Sequence, residues 1–250
     1  MDERYYTEYF KLEREHWWFR ARSNILAAQV ARTIPPRARI LNVGAAMGAS
    51  SEMLGRFGSV TSVEYEKACC DFVSRHFGKT FINASITDLP FPAASFDLVC
   101  AFDVIEHVQD DARAVAEMMR VCRPGGLVMV TVPAFMALWS HHDEVNHHVR
   151  RYRMPRLKRL FQRDGDVVRA SYFNAFLFLP ILGVRLATKL VPQRWIRSGA
   201  GSDFTLASSR LLDSIFYGVL SFENFWLGAG LTLPFGVSIL VSSKKTPARA

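Results

Sequence analysis

Residues 40–48 read Ile-Leu-Asn-Val-Gly-Ala-Ala-Met-Gly, an apolar run that passes directly into a turn of small residues. The run from Ile40 to Val43 has the length and composition of a short buried strand. We predict that the turn leads into a helix that ends near Phe57. A strand that enters a helix through such a turn is suited to nucleotides, because glycine allows close backbone approach and the helix start presents N–H groups.

Further apolar runs alternate with helical patterns along the chain. This alternation indicates a parallel sheet with right-handed crossovers, and short continuous apolar strands fit burial on both faces. The sequence therefore predicts a doubly wound, seven-stranded, mostly parallel α/β sheet of the Rossmann type. The predicted strands are 40–43, 60–63, 80–82, 96–102, 127–132, 167–173 and 233–241, with helices at 67–77 and 112–121.

Four segments follow from these elements. We expect a helical N-terminal cap over 1–36, which ends at Pro35-Pro36 because consecutive prolines break a helix. The nucleotide-binding core would cover 37–173. An aromatic helical insert would cover 174–232, and the last strand with a basic tail would cover 233–250.

Composition indicates the cellular location of the protein more clearly than its reaction. Half of the 250 residues are apolar and the formal net charge is +8, which can attract nucleic acid, acidic lipid or phosphorylated substrates. The four cysteines show no metal-binding spacing and indicate reduced thiols. No apolar run reaches the roughly 20 residues of a membrane-spanning helix, and residues 1–14 lack the apolar stretch of a signal peptide. We expect a cytoplasmic protein, with peripheral membrane contact as an alternative.

Five motifs between residues 38 and 133 occur in a characteristic order. Glu64 ends the second strand, 20 residues after Gly44, where a carboxylate can accept both ribose hydroxyl protons. The set resembles class I S-adenosylmethionine-dependent methyltransferases of the ubiquinone-biosynthesis-like, or type 11, family. The motifs are Ile40 to Gly48, Glu64, Asp88 to Pro92 with Ser95 to Val99, Glu106 to Val108, and Arg123 to Gly126.

The resemblance implies S-adenosylmethionine as cofactor, with S-adenosylhomocysteine as product. Gly44 and Gly48 would line its methionine part, and Glu64 would hold its ribose. The segment from Glu15 to Arg22 resembles a helix that lies over the cofactor in part of the family, although it could equally pack its aromatic residues on the sheet. The expected cofactor contacts are Trp18, Arg22, Asn42, Gly44, Ala46, Gly48, Glu64, Tyr65, Ser85, Ile86, Phe102 and Asp103.

Two positions depart from the family pattern. The family often has Asp where this chain has Asn42, and Gly where it has Ala46. Asn42 forms hydrogen bonds without a charge, and Ala46 suits a tight turn if its φ is negative. These departures leave open a partner subunit that binds S-adenosylmethionine but is catalytically inactive.

Transfer of a methyl group to a hydroxyl or a protonated amine requires a base, and histidine is suited because its pKa lies near neutrality. His148, in the His- and Arg-rich segment after the fifth strand, is the first candidate and His107 is the second. Asp103, Glu106 and His107 also resemble positions that bind a divalent metal in ubiquinone O-methyltransferases. We expect no metal here.

The same segment supplies the expected acceptor contacts, which are Trp139, Arg150, Arg151 and Tyr152. Arg150 or Arg151 would bind an anionic group of the acceptor. A purely structural interpretation is that Asp143 forms a salt bridge with Arg150.

The aromatic insert allows three interpretations. It could be a lid over a hydrophobic acceptor, a homodimer interface, or a membrane-surface patch beside Arg185, Lys189, Arg194 and Arg197. We favour a lid that also touches a membrane. The predicted reaction is methyl transfer to an oxygen or nitrogen of a hydrophobic, lipid-linked or glycan-linked small molecule. Methylation of RNA is the alternative that the positive charge permits, but no RNA-binding module is visible, and we expect no nucleic-acid partner.

Overall fold

A computed structural model describes residues 3–190 and 210–247 of the chain. The strands are β1 (Ala38–Val43), β2 (Gly58–Glu64), β3 (Ile82–Asn83), β4 (Phe96–Phe102), β5 (Cys122–Pro133), β6 (Gly165–Phe173) and β7 (Ser238–Lys245). The helices are α1 (Glu3–Glu15), α2 (Trp17–Ala31), α3 (Ala49–Leu54), α4 (Lys67–Phe77), α5 (Asp111–Val121), α6 (His141–Val145), α7 (Met154–Arg159), α8 (Phe178–Leu190) and α9 (Arg210–Gly228).

Seven strands form one sheet in the order β3-β2-β1-β4-β5-β7-β6. The pairs from β3 to β5 are parallel, whereas β7 is antiparallel to both of its neighbours. This confirms the predicted α/β sheet. The chain leaves β1 toward β2 on one side and returns to β4 on the other, and ligands of such sheets bind at the carboxyl ends of the strands beside this reversal.

Several element boundaries differ from the sequence prediction. The helical segment predicted over 1–36 contains two helices, because His16 interrupts it and its Nδ1 accepts a hydrogen bond from Trp18 N (3.3 Å) to cap α2. Strand β5 begins at Cys122 rather than near 127, and residues 123–126 form an irregularity in its pairing with β4. Arg194 and Arg197 lie outside the described residues.

Apolar side chains cover both faces of the sheet. Successive residues of β1 point to opposite sides, so Leu41 packs in the layer that contains α5, and Ile40 packs in the layer that contains Ile25 of α2 and Leu227 of α9. Helix α2 is therefore anchored on the sheet by its buried face. This anchoring fixes the position of the other residues of α2 at the sheet edge.

Helices α8 and α9 are joined to the sheet by one buried carboxylate. Glu223 of α9 accepts hydrogen bonds from the backbone N–H groups of Asn174, Ala175 (2.8 Å) and Phe176 (3.4 Å), which link β6 to α8. Large apolar residues of both helices are nevertheless exposed, among them Leu179 and Phe225. Within residues 3–190 and 210–247, no helix combines the length and apolar character needed to cross a bilayer.

Gly58 is the first residue of β2, and its Cα lies against the backbone of Ala38 in β1. A Cβ atom at this position would lie 2.0 Å from the carbonyl oxygen of Ala38, its partner in the strand ladder. We therefore expect Gly58→Ala to lower the free energy of unfolding by about 2–3 kcal/mol, because neither strand can move away without breaking the ladder. Urea denaturation followed by circular dichroism measures the change.

Gly218→Ala is the matched control for this substitution. A Cβ atom at Gly218, within α9, meets nothing within 4 Å. The change should raise the free energy of unfolding by about 0.5–1 kcal/mol, since alanine favours the helix. Equal unfolding midpoints for the two variants would contradict the close approach of β1 and β2.

Candidate active site

A cavity of about 580 Å³ opens at the carboxyl ends of the central strands. Its volume falls within the range of about 300–1,000 Å³ that is usual for small-molecule sites. The walls come from the turn after β1, the end of β4, helix α2 and the helices α8 and α9. The predicted site residues that line it are Trp18, Arg22, Gly44, Ala46, Phe102, Asp103, His107, His148 and Arg151.

Arg22 connects α2 to the end of β4. It is buried, it forms an ion pair with Asp103, and its Nη2 donates to Thr131 Oγ1 (3.2 Å). Its guanidinium carbon lies 5.1 Å from the centre of the Trp18 ring. Among the described residues, the buried Nε of Arg22 has no hydrogen-bond partner.

The glycine-rich turn has an unusual backbone at Ala46. The condition under which Ala46 suits a tight turn is not met, because its φ is 46°. A Cβ atom in this left-handed region costs about 1–2 kcal/mol. The N–H of Ala46 donates to Glu64 Oε2 (2.9 Å), which holds the turn against the end of β2.

Positive φ values recur around the cavity. Asp103 (56°) and Asn174 (59°) line it together with Ala46. Strained backbone of this kind collects at functional sites, where the surrounding structure enforces it. Three of the seven non-glycine residues with positive φ in the described part of the chain line this cavity.

The predicted ribose and adenine contacts lie beside the cavity rather than in its wall. Glu64 accepts from Ala46 N and from Glu66 N (3.1 Å), and Tyr65 is 78% exposed. Helix α1 covers this side, where Tyr6 donates to Glu66 Oε1 (2.8 Å). The predicted cofactor residues outside the cavity wall are Asn42, Gly48, Glu64, Tyr65, Ser85 and Ile86.

Asp143 and His148 form a hydrogen-bonded pair, and His148 lines the cavity. Asp143 is fully buried, and its Oδ1 lies 2.9 Å from His148 Nδ1. Arg151 donates to both carboxylate oxygens (2.7 and 3.0 Å). Burial alone would raise the pKa of Asp143, but the hydrogen bonds from His148 and Arg151 hold that pKa well below its usual range. Asp143 is thus a carboxylate that orients His148.

Arg150 and Tyr152, which follow His148 in sequence, bind a different carboxylate, that of Asp111. The proposed salt bridge between Asp143 and Arg150 is wrong, because Arg150 Nη1 pairs with Asp111 Oδ2 (2.7 Å). Tyr152 OH donates to the same carboxylate (2.8 Å). Arg150, Tyr152 and Trp139 do not line the cavity, so Arg151 is the one predicted acceptor contact that the structure places there.

Glu106, His107 and His148 bring one potential ligand atom each within 4.8 Å of one another. Glu106 is fully buried, and neither carboxyl oxygen has a hydrogen-bond partner among the described residues. Burial and nearby Asp103 raise the pKa of Glu106 well above its usual value. Burial and His148 lower the pKa of His107 to about 4. His107 has exposed surface, and it lines the cavity. A divalent cation at this set would favour the ionised form of Glu106.

Sequence comparisons find similarity between this chain and methyltransferases. Residues 41–130 match the family model described as "Methyltransferase domain". A "Probable S-adenosylmethionine-dependent methyltransferase" of Mycolicibacterium smegmatis is 32% identical over 124 residues, which cover 49% of this chain and 48% of that protein. A protein of the same description from Mycobacterium tuberculosis is 35% identical over 124 residues, covering 49% and 44%. Residues 41–130 form a class I methyltransferase domain.

Solved structures agree on the fold. A SAM-dependent methyltransferase from Thermotoga maritima superposes with a TM-score of 0.58 at 16% identity, over 98% of this chain and 97% of that one. The chain spans about half the length of the curated relatives it matches. The methyltransferase family uses S-adenosylmethionine as its cofactor.

The cavity of this methyltransferase domain has the chemistry that S-adenosylmethionine requires. The methionine part of the cofactor carries both an ammonium and a carboxylate group. Arg22, which lines the cavity, would supply a cationic group for the carboxylate. Trp18 and Phe102 supply apolar surface between them.

Proposed function

We propose that the protein transfers a methyl group from S-adenosylmethionine to an oxygen or nitrogen of a hydrophobic, lipid-linked or glycan-linked small molecule. The observation that carries this proposal is the Asp143–His148 pair in the same cavity as Arg22 and the glycine-rich turn. When bound, the cofactor supplies an electrophilic methyl group.

The protein must then position the acceptor and remove its proton. With His148 Nδ1 bonded to the ionised Asp143, Nε2 is the nitrogen left to accept a proton from an acceptor hydroxyl or ammonium group. The negative charge of Asp143 stabilises the imidazolium that results. Both effects act in a cavity partly shielded from water, where they are stronger than in solution.

The wall beyond His148 favours an apolar acceptor. Ile181 and Val184 of α8 and Leu212 and Phe216 of α9 line the cavity, and Val184 and Leu212 are also exposed at the surface. The apolar wall is therefore continuous with an exposed apolar surface. An acceptor with a hydrocarbon body would bury it against this wall, and the same surface would support peripheral contact with a membrane.

Tritium transfer from S-[methyl-³H]adenosylmethionine tests this function. The protein is incubated with the total lipid fraction, the polar metabolite fraction and the RNA of the organism that encodes it, each supplied separately. We expect label in an organic-extractable product from the lipid fraction. Label in RNA would instead support the RNA alternative, and calorimetric binding of S-adenosylmethionine without any transfer would support an inactive partner subunit.

A further inference from the structure

The carboxylate of Glu13 reaches the glycine-rich turn from α1. Its oxygens accept hydrogen bonds from Met47 N (3.3 Å) and Ala49 N (3.1 Å). The side chain is only 8% exposed and lines the same cavity as Arg22. A helix outside residues 41–130 thus contributes a charged group to the cofactor end of the cavity.

This contact changes what the turn offers to a ligand. A turn that opens a helix ordinarily presents N–H groups to an anion. Here Glu13 takes the N–H groups of Met47 and Ala49, and Glu64 takes that of Ala46. The turn therefore presents carboxylate charge, which suits a cationic group.

The protein balances the charge of Glu13 only in part, through Arg14 and Arg22. Arg14 Nη1 lies 3.9 Å away, and Arg14 also binds Glu52 Oε1 (2.7 Å) on the surface of α3. Burial raises the pKa of Glu13 to about 7. A cation bound next to Glu13 would favour its ionised form. Asn42, at the end of β1, adds no charge and donates to Ser50 and Ser51 (both 2.8 Å).

We propose that Glu13 recognises the α-ammonium group of S-adenosylmethionine, so that α1 is part of the cofactor site. The inference rests on the proposed function, because it takes S-adenosylmethionine as the ligand. Glu13 and Arg22 line the same cavity, and their ionised side chains have opposite charges. Together they match the ammonium and carboxylate groups of a free amino acid moiety.

Two ligands separate this role from a purely structural one. S-adenosylhomocysteine carries the ammonium group, whereas 5′-methylthioadenosine has the same adenosine and an equally neutral thioether sulfur but lacks the amino acid part. Calorimetry measures the affinity of both for the wild-type protein, for Glu13→Gln and for Glu8→Gln, an exposed glutamate on the same helix. We expect Glu13→Gln to weaken the binding of S-adenosylhomocysteine about 10- to 100-fold, the effect of losing a charged hydrogen bond. Its affinity for 5′-methylthioadenosine, and both affinities of Glu8→Gln, should stay within about twofold.

The remaining outcomes overturn the proposal in distinguishable ways. Equal weakening of both ligands would show that Glu13 only holds α1 in place. Unchanged affinity for both would show that Glu13 does not contact the cofactor. If the wild-type protein binds neither ligand, the proposed function falls and this inference with it.

Discussion

Replacement of His148 by alanine is expected to slow methyl transfer by about 10²- to 10⁴-fold, the contribution usual for a positioned general base. His148 lines the cavity and its Nδ1 is held by Asp143, so the variant loses the proton acceptor that faces the acceptor group. Affinity for S-adenosylmethionine should stay within about twofold, because the glycine-rich turn and Arg22 are untouched. Initial rates of tritium transfer and calorimetry measure the two quantities.

His141→Ala is the matched control for this change. His141 lies on the surface of α6, where its Nδ1 is 3.3 Å from Glu144 Oε2, and it does not line the cavity. It should transfer methyl groups at the wild-type rate. Added imidazole should restore part of the rate of His148→Ala if the lost group is a base. Transfer within fivefold of wild type in His148→Ala would instead contradict the assignment.

The sheet could be predicted from sequence because its signals are local. Each central strand is a short apolar run bounded by turn residues, and β4 was predicted at its observed limits, Phe96–Phe102. The reversal between β1 and β4 then places Gly44 and Asp103 on one edge, since the carboxyl ends of parallel strands meet there. The edge therefore followed from element order without any knowledge of packing.

The rest of the site depends on packing that the sequence does not display. Glu13 and the exposed Glu8 both lie on α1, and only the docking of α1 on the turn brings Glu13 into the cavity. Arg150 and Arg151 are neighbours in an extended segment, so their side chains point to opposite sides. The register of that segment decides which of the two arginines pairs with Asp143. The periodicity of the sequence does not reveal this register.

The largest expected loss of stability follows from replacing Asp143 by alanine. The change would leave the buried Arg151 without its carboxylate, and would remove the charge that lies 3.5 Å from Arg185 Nη1 on α8. Breaking a buried ion pair from one side costs about 3–5 kcal/mol. Denaturation at pH 7 measures this loss, and Asp71→Ala is the control. Asp71 pairs with Lys67 on the exposed face of α4 (2.8 Å), where such a pair contributes about 0–1 kcal/mol.

The pH dependence of the free energy of unfolding tests the ionisation of Asp143 independently. Because the pKa of Asp143 is lowered in the folded protein, its stabilising contribution is complete above the ordinary aspartate pKa of about 3.9 and is lost as the pH falls below it. The gap in unfolding free energy between the wild-type protein and Asp143→Asn should therefore be constant from pH 7 to pH 5 and narrow below pH 4. If the gap widened in acid, or if Asp143→Ala cost no more than Asp71→Ala, Asp143 would not be the buried anion that joins α8 to His148.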